Sequence, residues 1–196
     1  MVGLEGPTVN KNHFLRTTVS IWCEGDRDAS FVRYLYSLYH VPERDVKIRN
    51  AHGGDPVGQI RQMVNYYLTH DFDEKYALYD LDRGEESVKE ARRLARANGV
   101  VCIESDKCLE MELVRLMSDN SKLVWRACRS SMEAKKVFAE LCHLKHEDDG
   151  VEWGRWVNRK RLDGLFAISE WLSIFIKIIE GENYETTRTI LGKTNN

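Results

Sequence analysis

The sequence predicts an α/β protein with a mostly parallel four-stranded sheet, followed by a helical C-terminal segment. In the first part of the chain, short runs rich in β-branched and aromatic residues alternate with segments of helical periodicity. This β-α-β order favours parallel strands with helices packed on the faces of the sheet. After residue 118 only helical periodicity is found. Hydrophobic residues make up 42% of the 196 residues, which is enough to build a core.

The first two strand–helix units are predicted from local pattern. Residues 17–23 (TTVSIWC) have the composition of a strand, and residues 28–40 follow with helical spacing of their apolar side chains. Residues 45–50 form the second predicted strand, which a Gly-Gly-Asp-Pro sequence ends. After this Gly-Gly-Asp-Pro sequence the apolar residues are again spaced as in a helix. Asp55 is the predicted N-cap of this helix and Pro56 its first residue.

Two further units complete the predicted sheet. The strands are residues 76–79 (YALY) and 100–103, and the helices are residues 86–97 and 109–117. Gly99 follows the third helix and is expected to stop it.

Charge and cysteine content restrict the class of protein. Lys and Arg number 29 against 31 Asp and Glu, so the net charge is −2, which excludes a generally basic nucleic-acid coat. Five cysteines without a CxxC pair are typical of reduced thiols in the cytoplasm. The N-terminus has no apolar signal region, and the most apolar stretch, residues 165–179, is too short to span a bilayer. We therefore expect a cytoplasmic protein without membrane association.

Acidic residues follow three of the predicted strands. Glu24 comes after the first strand, Asp80 and Asp82 after the third, and a Glu-Ser-Asp sequence after the fourth. Carboxyl ends of parallel strands meet at one edge of a sheet, where ligands bind. If the chain stays extended after the third strand, the Asp80 and Asp82 carboxylates point the same way. Together with Glu24 they could bind Mg²⁺ or Mn²⁺, which polarises a phosphate and activates water.

Basic residues provide candidate contacts to nucleic acid. One stripe of the third predicted helix consists of Lys89, Arg92, Arg93 and Arg96. This stripe could contact a phosphate backbone, and a solvated helix face is the alternative. Lys107 lies in a turn where its ammonium group could contact a scissile phosphate, and a solvated loop lysine is the alternative. A second cluster, residues 153–161 (WGRWVNRKR), places aromatic rings beside cations, as in proteins that bind single-stranded nucleic acid. We interpret Trp153 and Trp156 as core anchors and leave the role of the neighbouring cations open.

Four segments of the chain resemble those of TOPRIM domains, which have a Rossmann-like fold. Residues 23–28 (CEGDRD) and 79–82 (YDLD) resemble the Glu-Gly and Asp-x-Asp motifs of that family. Residues 52–56 (HGGDP) and 105–110 (SDKCLE) are most similar to the RloB-like and OLD-family nuclease branch. The chain departs from that branch at Lys107, where the branch has proline, and at Asp28, where glutamate is usual. The resemblance implies a TOPRIM-like catalytic domain over residues 17–118, and helical periodicity alone predicts a helical C-terminal extension over residues 119–196.

By the family pattern, Glu24, Asp80 and Asp82 would be the metal-binding and catalytic acids, and Glu110 a further catalytic acid. For Glu110, an interaction with the helix dipole is the alternative. The flexible Gly25 would lie beside Glu24, and Asp28 would be the second acid of the motif, with helix capping as its other role. The resemblance implies Mg²⁺- or Mn²⁺-dependent cleavage of DNA or RNA in antiviral or phage-conflict defence. Since the sequence contains no P-loop, any ATP use would require a partner ATPase.

Two other functions fit parts of the pattern. Residues 79–82 also resemble the Asp-x-Asp motif of haloacid-dehalogenase-type phosphatases, in which the first Asp is the nucleophile. That motif normally follows the first strand, and here it follows the third. A non-catalytic TOPRIM-like scaffold that binds nucleic acid or a protein is the third alternative. The apolar residues 165–179 are either a central core helix or a homodimer surface.

Overall fold

A computed structural model describes residues 16–105, 108–117, 130–144, 150–166 and 169–182. In these ranges the chain forms an all-parallel four-stranded sheet and eight α-helices, so the predicted fold class is confirmed. The strands are β1 (Thr17–Cys23), β2 (Arg44–Asn50), β3 (Glu74–Asp80) and β4 (Val101–Ser105). The helices are α1 (Asp26–Tyr39), α2 (Pro56–Tyr67), α3 (Glu85–Ala97), α4 (Leu109–Met117), α5 (Ser131–Leu141), α6 (Trp153–Trp156), α7 (Arg159–Phe166) and α8 (Glu170–Glu180). A 3₁₀ turn, Leu81–Arg83, follows β3.

The element boundaries differ from prediction mainly where polar residues extend an element. The prediction for β1 is correct, and β3 extends from Glu74 to Asp80 rather than only over its apolar centre. β4 likewise continues to Ser105. These residues continue the parallel pairing of the strands although they break the apolar pattern from which the strands were predicted. Asp55 is the N-cap of α2 as predicted, and its Oδ1 accepts a hydrogen bond from the Gly58 N–H at 2.8 Å.

The order of strands in the sheet is β2-β1-β3-β4. From β1 the chain moves to β2 on one side and then crosses to β3 and β4 on the other side. The direction of winding therefore reverses between β1 and β3. In the sheet, Cys23 pairs with Leu78 at the end of the β1–β3 ladder, and Asp80 pairs with Ser105 between β3 and β4. In doubly wound sheets a crevice for ligands opens at the carboxyl ends of the strands where this reversal occurs.

Helices cover both faces of the sheet. On one face, α2 and α3 pack against side chains such as Trp22 and Tyr79. On the other face, α1 and α4 pack against side chains such as Ile21, Leu78 and Ile103. Because side chains alternate along a strand, Asp80 and Ser105 lie on the same face as Leu78 and Ile103, toward α1 and α4.

The described C-terminal helices pack against α1. The Trp153 ring lies 4.9 Å from the Phe31 ring, and the Trp153 indole N–H donates a hydrogen bond to the Ser30 hydroxyl at 2.9 Å. Phe31 also stacks on Trp171 of α8 with a centroid distance of 5.9 Å. Trp153 is therefore a core anchor, as the sequence indicated, whereas Trp156 is partly exposed.

Helix α8 is a core helix in this chain. Its buried residues are Trp171, Leu172, Ile174, Phe175, Ile176, Ile178 and Ile179. Glu170 and Glu180 are its exposed residues, so a homodimer formed through α8 stays a prediction that would have to use its polar face. None of the described helices combines the length and the apolar character needed to cross a bilayer.

Candidate functional site

Glu24 and Asp80 meet at the crevice between β1 and β3. Glu24 directly follows β1, and Asp80 is the last residue of β3. The Glu24 carboxylate accepts a hydrogen bond from the Asp80 backbone N–H, with 3.2 Å between Oε2 and N. The structure therefore brings together two acids that are far apart in the sequence, at the position where doubly wound sheets bind ligands.

The first turn of α1 places a third acid beside them. Gly25 is the N-cap of α1, and its backbone N–H donates a hydrogen bond to Asp28 Oδ2 at 2.8 Å. A Cβ atom at position 25 would lie 3.3 Å from the same oxygen, so the close approach favours glycine. Burial, then the nearby Glu110 and Glu24 carboxylates, raises the pKa of Asp28 to about 7, against the effect of the Gly25 hydrogen bond. Asp28 thus caps the helix and also faces the other acids.

Asp80 is the most strongly affected of these carboxylates. It is 9% exposed. Burial raises its pKa to about 9, and Asp28, Glu24, Glu110 and Asp82 contribute in that order. A buried carboxylate with this many acidic neighbours is stabilised either by a proton or by a cation. The surroundings of Asp80 therefore favour either a protonated carboxyl group or a neighbouring positive charge.

The predicted geometry of Asp82 is wrong. The chain does not stay extended after β3 but enters the 3₁₀ turn at Leu81, so Asp80 and Asp82 do not follow the alternation of a strand. The Asp82 side chain is exposed. It still lies near enough to raise the pKa of Asp80. The turn thus keeps Asp82 at the rim of the crevice, in a different orientation from the one expected.

Glu110 forms an ion pair with Arg27. Glu110 lies in the first turn of α4 and is 6% exposed. Its Oε1 accepts a hydrogen bond from Arg27 Nη1 of α1 at 2.8 Å, and the Arg27 guanidinium also lies 5.2 Å from the centre of the Phe138 ring. Its place in the first turn also suits an interaction with the helix dipole. The carboxylate of Glu110 is thus held against α1, next to Asp28.

Lys135 is a cation close to these acids that was not predicted from the sequence. On α5, Ser131 and Ala134 contact the start of α4, and Phe138 contacts Arg27. Lys135 lies four residues after Ser131 and three before Phe138, and therefore shares their face of the helix. Burial alone would lower the pKa of Lys135, but the Glu110, Cys108, Asp80 and Asp82 groups outweigh it and raise the pKa. No local pattern marks Lys135, because the packing of α5 on α4 determines where it lies.

Ser105 is a second residue whose position only the structure shows. It ends β4, pairs in register with Asp80, and is fully buried. Side chains of paired residues lie on one face of the sheet, on neighbouring strands that are about 4.8 Å apart. Among the described residues, the Ser105 hydroxyl has no hydrogen-bond partner. A buried polar atom beside Asp80 therefore adds an oxygen that a ligand could contact.

The basic stripe of α3 lies on the opposite face of the sheet. With Ala97, its four cations line a shallow depression of about 380 Å³. Arg92 pairs with Glu104 of β4 at 2.7 Å, Arg93 pairs with Glu90 at 2.7 Å, and Lys89 pairs with Glu85 and Glu86. Arg96 forms no ion pair within the part of the chain that the structure describes. The stripe is therefore largely neutralised and is not brought to the acids. Lys107 lies outside the described residues.

The acids fit a divalent cation by their chemistry, although they are not arranged around one. Within the described ranges, no group of three or more His, Cys, Asp or Glu side chains has the arrangement of a metal site. Carboxylate and hydroxyl oxygens are the ligands that Mg²⁺ and Mn²⁺ prefer. An ion at Glu24, Asp80 and Asp82 would require these side chains to reorient toward it.

The crevice thus combines acidic groups, a facing cation and a buried hydroxyl at one edge of the sheet. The residues that the structure brings together are Glu24, Asp28, Asp80, Asp82, Ser105, Glu110 and Lys135. Comparison of the chain with protein-family models, with curated proteins and with solved structures finds no match.

Proposed function

We propose that the chain is a TOPRIM-type nuclease that cleaves phosphodiester bonds of DNA or RNA with Mg²⁺ or Mn²⁺. The contact of Glu24 with Asp80 at the reversal of strand order carries the proposal. This position is where doubly wound sheets bind ligands, and the carboxylates around it attract a hard cation. The resemblance of the Glu-Gly and Asp-x-Asp segments to TOPRIM motifs supports the same assignment.

The proposed metal ligands are Glu24, Asp80 and Asp82. A bound ion would polarise the scissile phosphate and lower the pKa of a water molecule. Without an ion, the raised pKa of Asp80 means that its carboxyl group keeps a proton at neutral pH. Binding of the ion would release that proton.

The residues around the ligands have supporting roles in this proposal. Arg27 holds the Glu110 carboxylate, which is proposed as a further catalytic acid. Asp28 fixes the start of α1 beside Glu24 through its hydrogen bond with Gly25. Lys135 would balance the negative charge of the scissile phosphate, which the acidic groups alone would repel.

The test is cleavage of mixed single- and double-stranded DNA and RNA, with Mg²⁺, Mn²⁺ or EDTA. We expect metal-dependent cleavage by the unmodified chain and a loss of about 100-fold or more in Glu24→Gln. The matched control is Glu43→Gln, because Glu43 is exposed. Full activity of Glu24→Gln would contradict the proposal.

A second pair of variants tests the facing cation. Lys135→Gln should lower cleavage by about tenfold or more, because a charge that balances the phosphate is lost. Lys136→Gln, an exposed neighbour on the same helix, should leave the rate unchanged. Equal rates for the two variants would remove Lys135 from the proposed site.

The same assays separate the other two functions. Hydrolysis of small phosphate esters without action on polynucleotides would favour the haloacid-dehalogenase-type phosphatase. Nucleic-acid or protein binding without metal binding in calorimetry would favour a scaffold. A role in antiviral defence and a partner ATPase are proposed from the resemblance alone. Co-purification of an ATPase with the tagged chain would test the partner.

A further inference from the structure

Gln59 connects the two strands that carry Glu24 and Asp80. It lies in the first turns of α2 and is 2% exposed. Its side-chain Nε2 donates hydrogen bonds to the Trp22 carbonyl at 3.1 Å and to the Leu78 carbonyl at 3.0 Å. Trp22 belongs to β1 and Leu78 to β3, and each lies two residues before one of the two acids. One carboxamide thus links β1 and β3 directly below the crevice.

Side chains join the two strands where their paired ladder ends. The last pair between β1 and β3 is Cys23 with Leu78. Beyond it, the Glu24 carboxylate accepts from the Asp80 N–H. Gln59 contacts the carbonyls of Trp22 and Leu78, which belong to the last two pairs of this ladder. Its amide therefore links the strands immediately before the point where backbone pairing ends and Glu24 and Asp80 follow.

The start of α2 holds Gln59 in this place. The loop before α2 is attached to the end of β1, since Ala51 N–H donates to the Cys23 carbonyl at 2.9 Å and Gly53 N–H donates to the Glu24 carbonyl at 2.7 Å. Asp55 then caps the helix. The loop after β2 thus holds the backbone of Glu24, and the Gln59 side chain holds the end of β3 through the Leu78 carbonyl.

Packing alone does not explain an amide at this position, because burying an unpaired polar atom lowers the stability of the fold. Gln59 is buried in the helix that contributes Ile60 and Met63 to the core, and among the described residues its Oε1 atom has no hydrogen-bond partner. An apolar side chain of similar size would fill the space without burying an unpaired oxygen. What the amide adds is the link between the two carbonyl groups.

We propose that Gln59 is a positioning residue that sets the separation of Glu24 and Asp80 and thereby the affinity of the crevice for a divalent cation. This inference rests on the proposed function. It differs from it in assigning the geometry of the site to a residue that contacts neither metal nor substrate.

The experiment measures Mn²⁺ binding by calorimetry and thermal unfolding in EDTA for the full chain and three variants. Gln59→Met keeps the size of the side chain but removes both donors, and we expect Mn²⁺ affinity to fall by about tenfold or more. Gln59→Asn keeps the amide but is too short to reach both carbonyls, and we expect an intermediate affinity. Gln62→Met is the control, because Gln62 is exposed on the same helix.

The outcomes separate this inference from the proposed function. If the unmodified chain binds Mn²⁺ and Gln59→Met or Gln59→Asn binds it equally tightly, Gln59 has no positioning role. If the unmodified chain binds no Mn²⁺, the proposed function and this inference both fail. Should Gln59→Met not fold, Gln59→Asn decides: weaker Mn²⁺ binding at an unchanged unfolding temperature supports positioning, and unchanged binding contradicts it.

Discussion

At Asp80, burial and the charge of its neighbours act on one carboxyl group in the same direction. Burial disfavours the ionised form, and four other acids disfavour it further. Asp28 is affected in the same way to a smaller extent. Ionisation of these two acids therefore opposes folding.

We expect the metal-free protein to lose stability as the pH rises. The pKa values of Asp80 and Asp28 in the folded state are about 9 and about 7, above the ordinary value of 3.8. Their contribution is therefore fully present below the ordinary value and is lost as the pH rises toward and through the folded values. Thermal unfolding in EDTA should show a lower midpoint at about pH 9 than at about pH 5.

Asp80→Asn tests the origin of this pH dependence. The variant should weaken the dependence of stability on pH. It should also raise the free energy of unfolding at high pH by at least about 1 kcal/mol, since one pKa unit corresponds to about 1.4 kcal/mol. Asp71→Asn is a control, because Asp71 is exposed. An Asp80→Asn variant with the pH dependence of the unmodified chain would show that Asp80 does not ionise as described.

At the scale of elements, α3 shows how neighbouring acids modify a basic face. The spacing predicted a stripe of cations, and the structure contains it. The chain order also placed Glu85, Glu86 and Glu90 on the same helix, where they pair with Lys89 and Arg93. Such pairs reduce the charge that the stripe offers to a phosphate backbone.

Nucleic-acid binding by α3 is therefore expected to depend on Arg96 more than on Arg93. Arg96→Gln should lower the slope of log affinity against log salt concentration by about one, as for the loss of one phosphate contact. Arg93→Gln should leave the slope unchanged, because Arg93 is already paired with Glu90. Electrophoretic mobility shifts at several salt concentrations measure both. Equal slopes for the two variants and the unmodified chain would exclude a contact through Arg96.

At the scale of the whole molecule, the hydrophobic core on the α1 face of the sheet also includes residues of the described C-terminal helices. Phe31 of α1 is fully buried and contacts both Trp153 and Trp171. The Tyr34 hydroxyl donates a hydrogen bond to the Val157 carbonyl at 2.5 Å, which adds a polar link between α1 and the segment after α6. The described C-terminal helices therefore form part of the layer that covers the α1 face of the sheet.

Phe31→Ala should lower the free energy of unfolding by about 3–5 kcal/mol, because it leaves a cavity in this shared core. We expect circular dichroism and tryptophan fluorescence to report one common unfolding transition. Met132→Ala is the control, because Met132 is 78% exposed. Separate transitions for helical content and for fluorescence would show that the C-terminal helices unfold independently of the sheet.

Periodicity and chain order were sufficient to predict the parallel sheet, most element boundaries and the edge at which Glu24 and Asp80 meet. These features follow from local side-chain pattern and from the common direction of parallel strands. The turn that redirects Asp82, the pairing of Glu110 with Arg27, and the approach of Lys135 and Ser105 to Asp80 required the tertiary structure. They depend on how α1, α4, α5 and the strand ends pack, and residues distant in sequence come into contact there without leaving a local pattern.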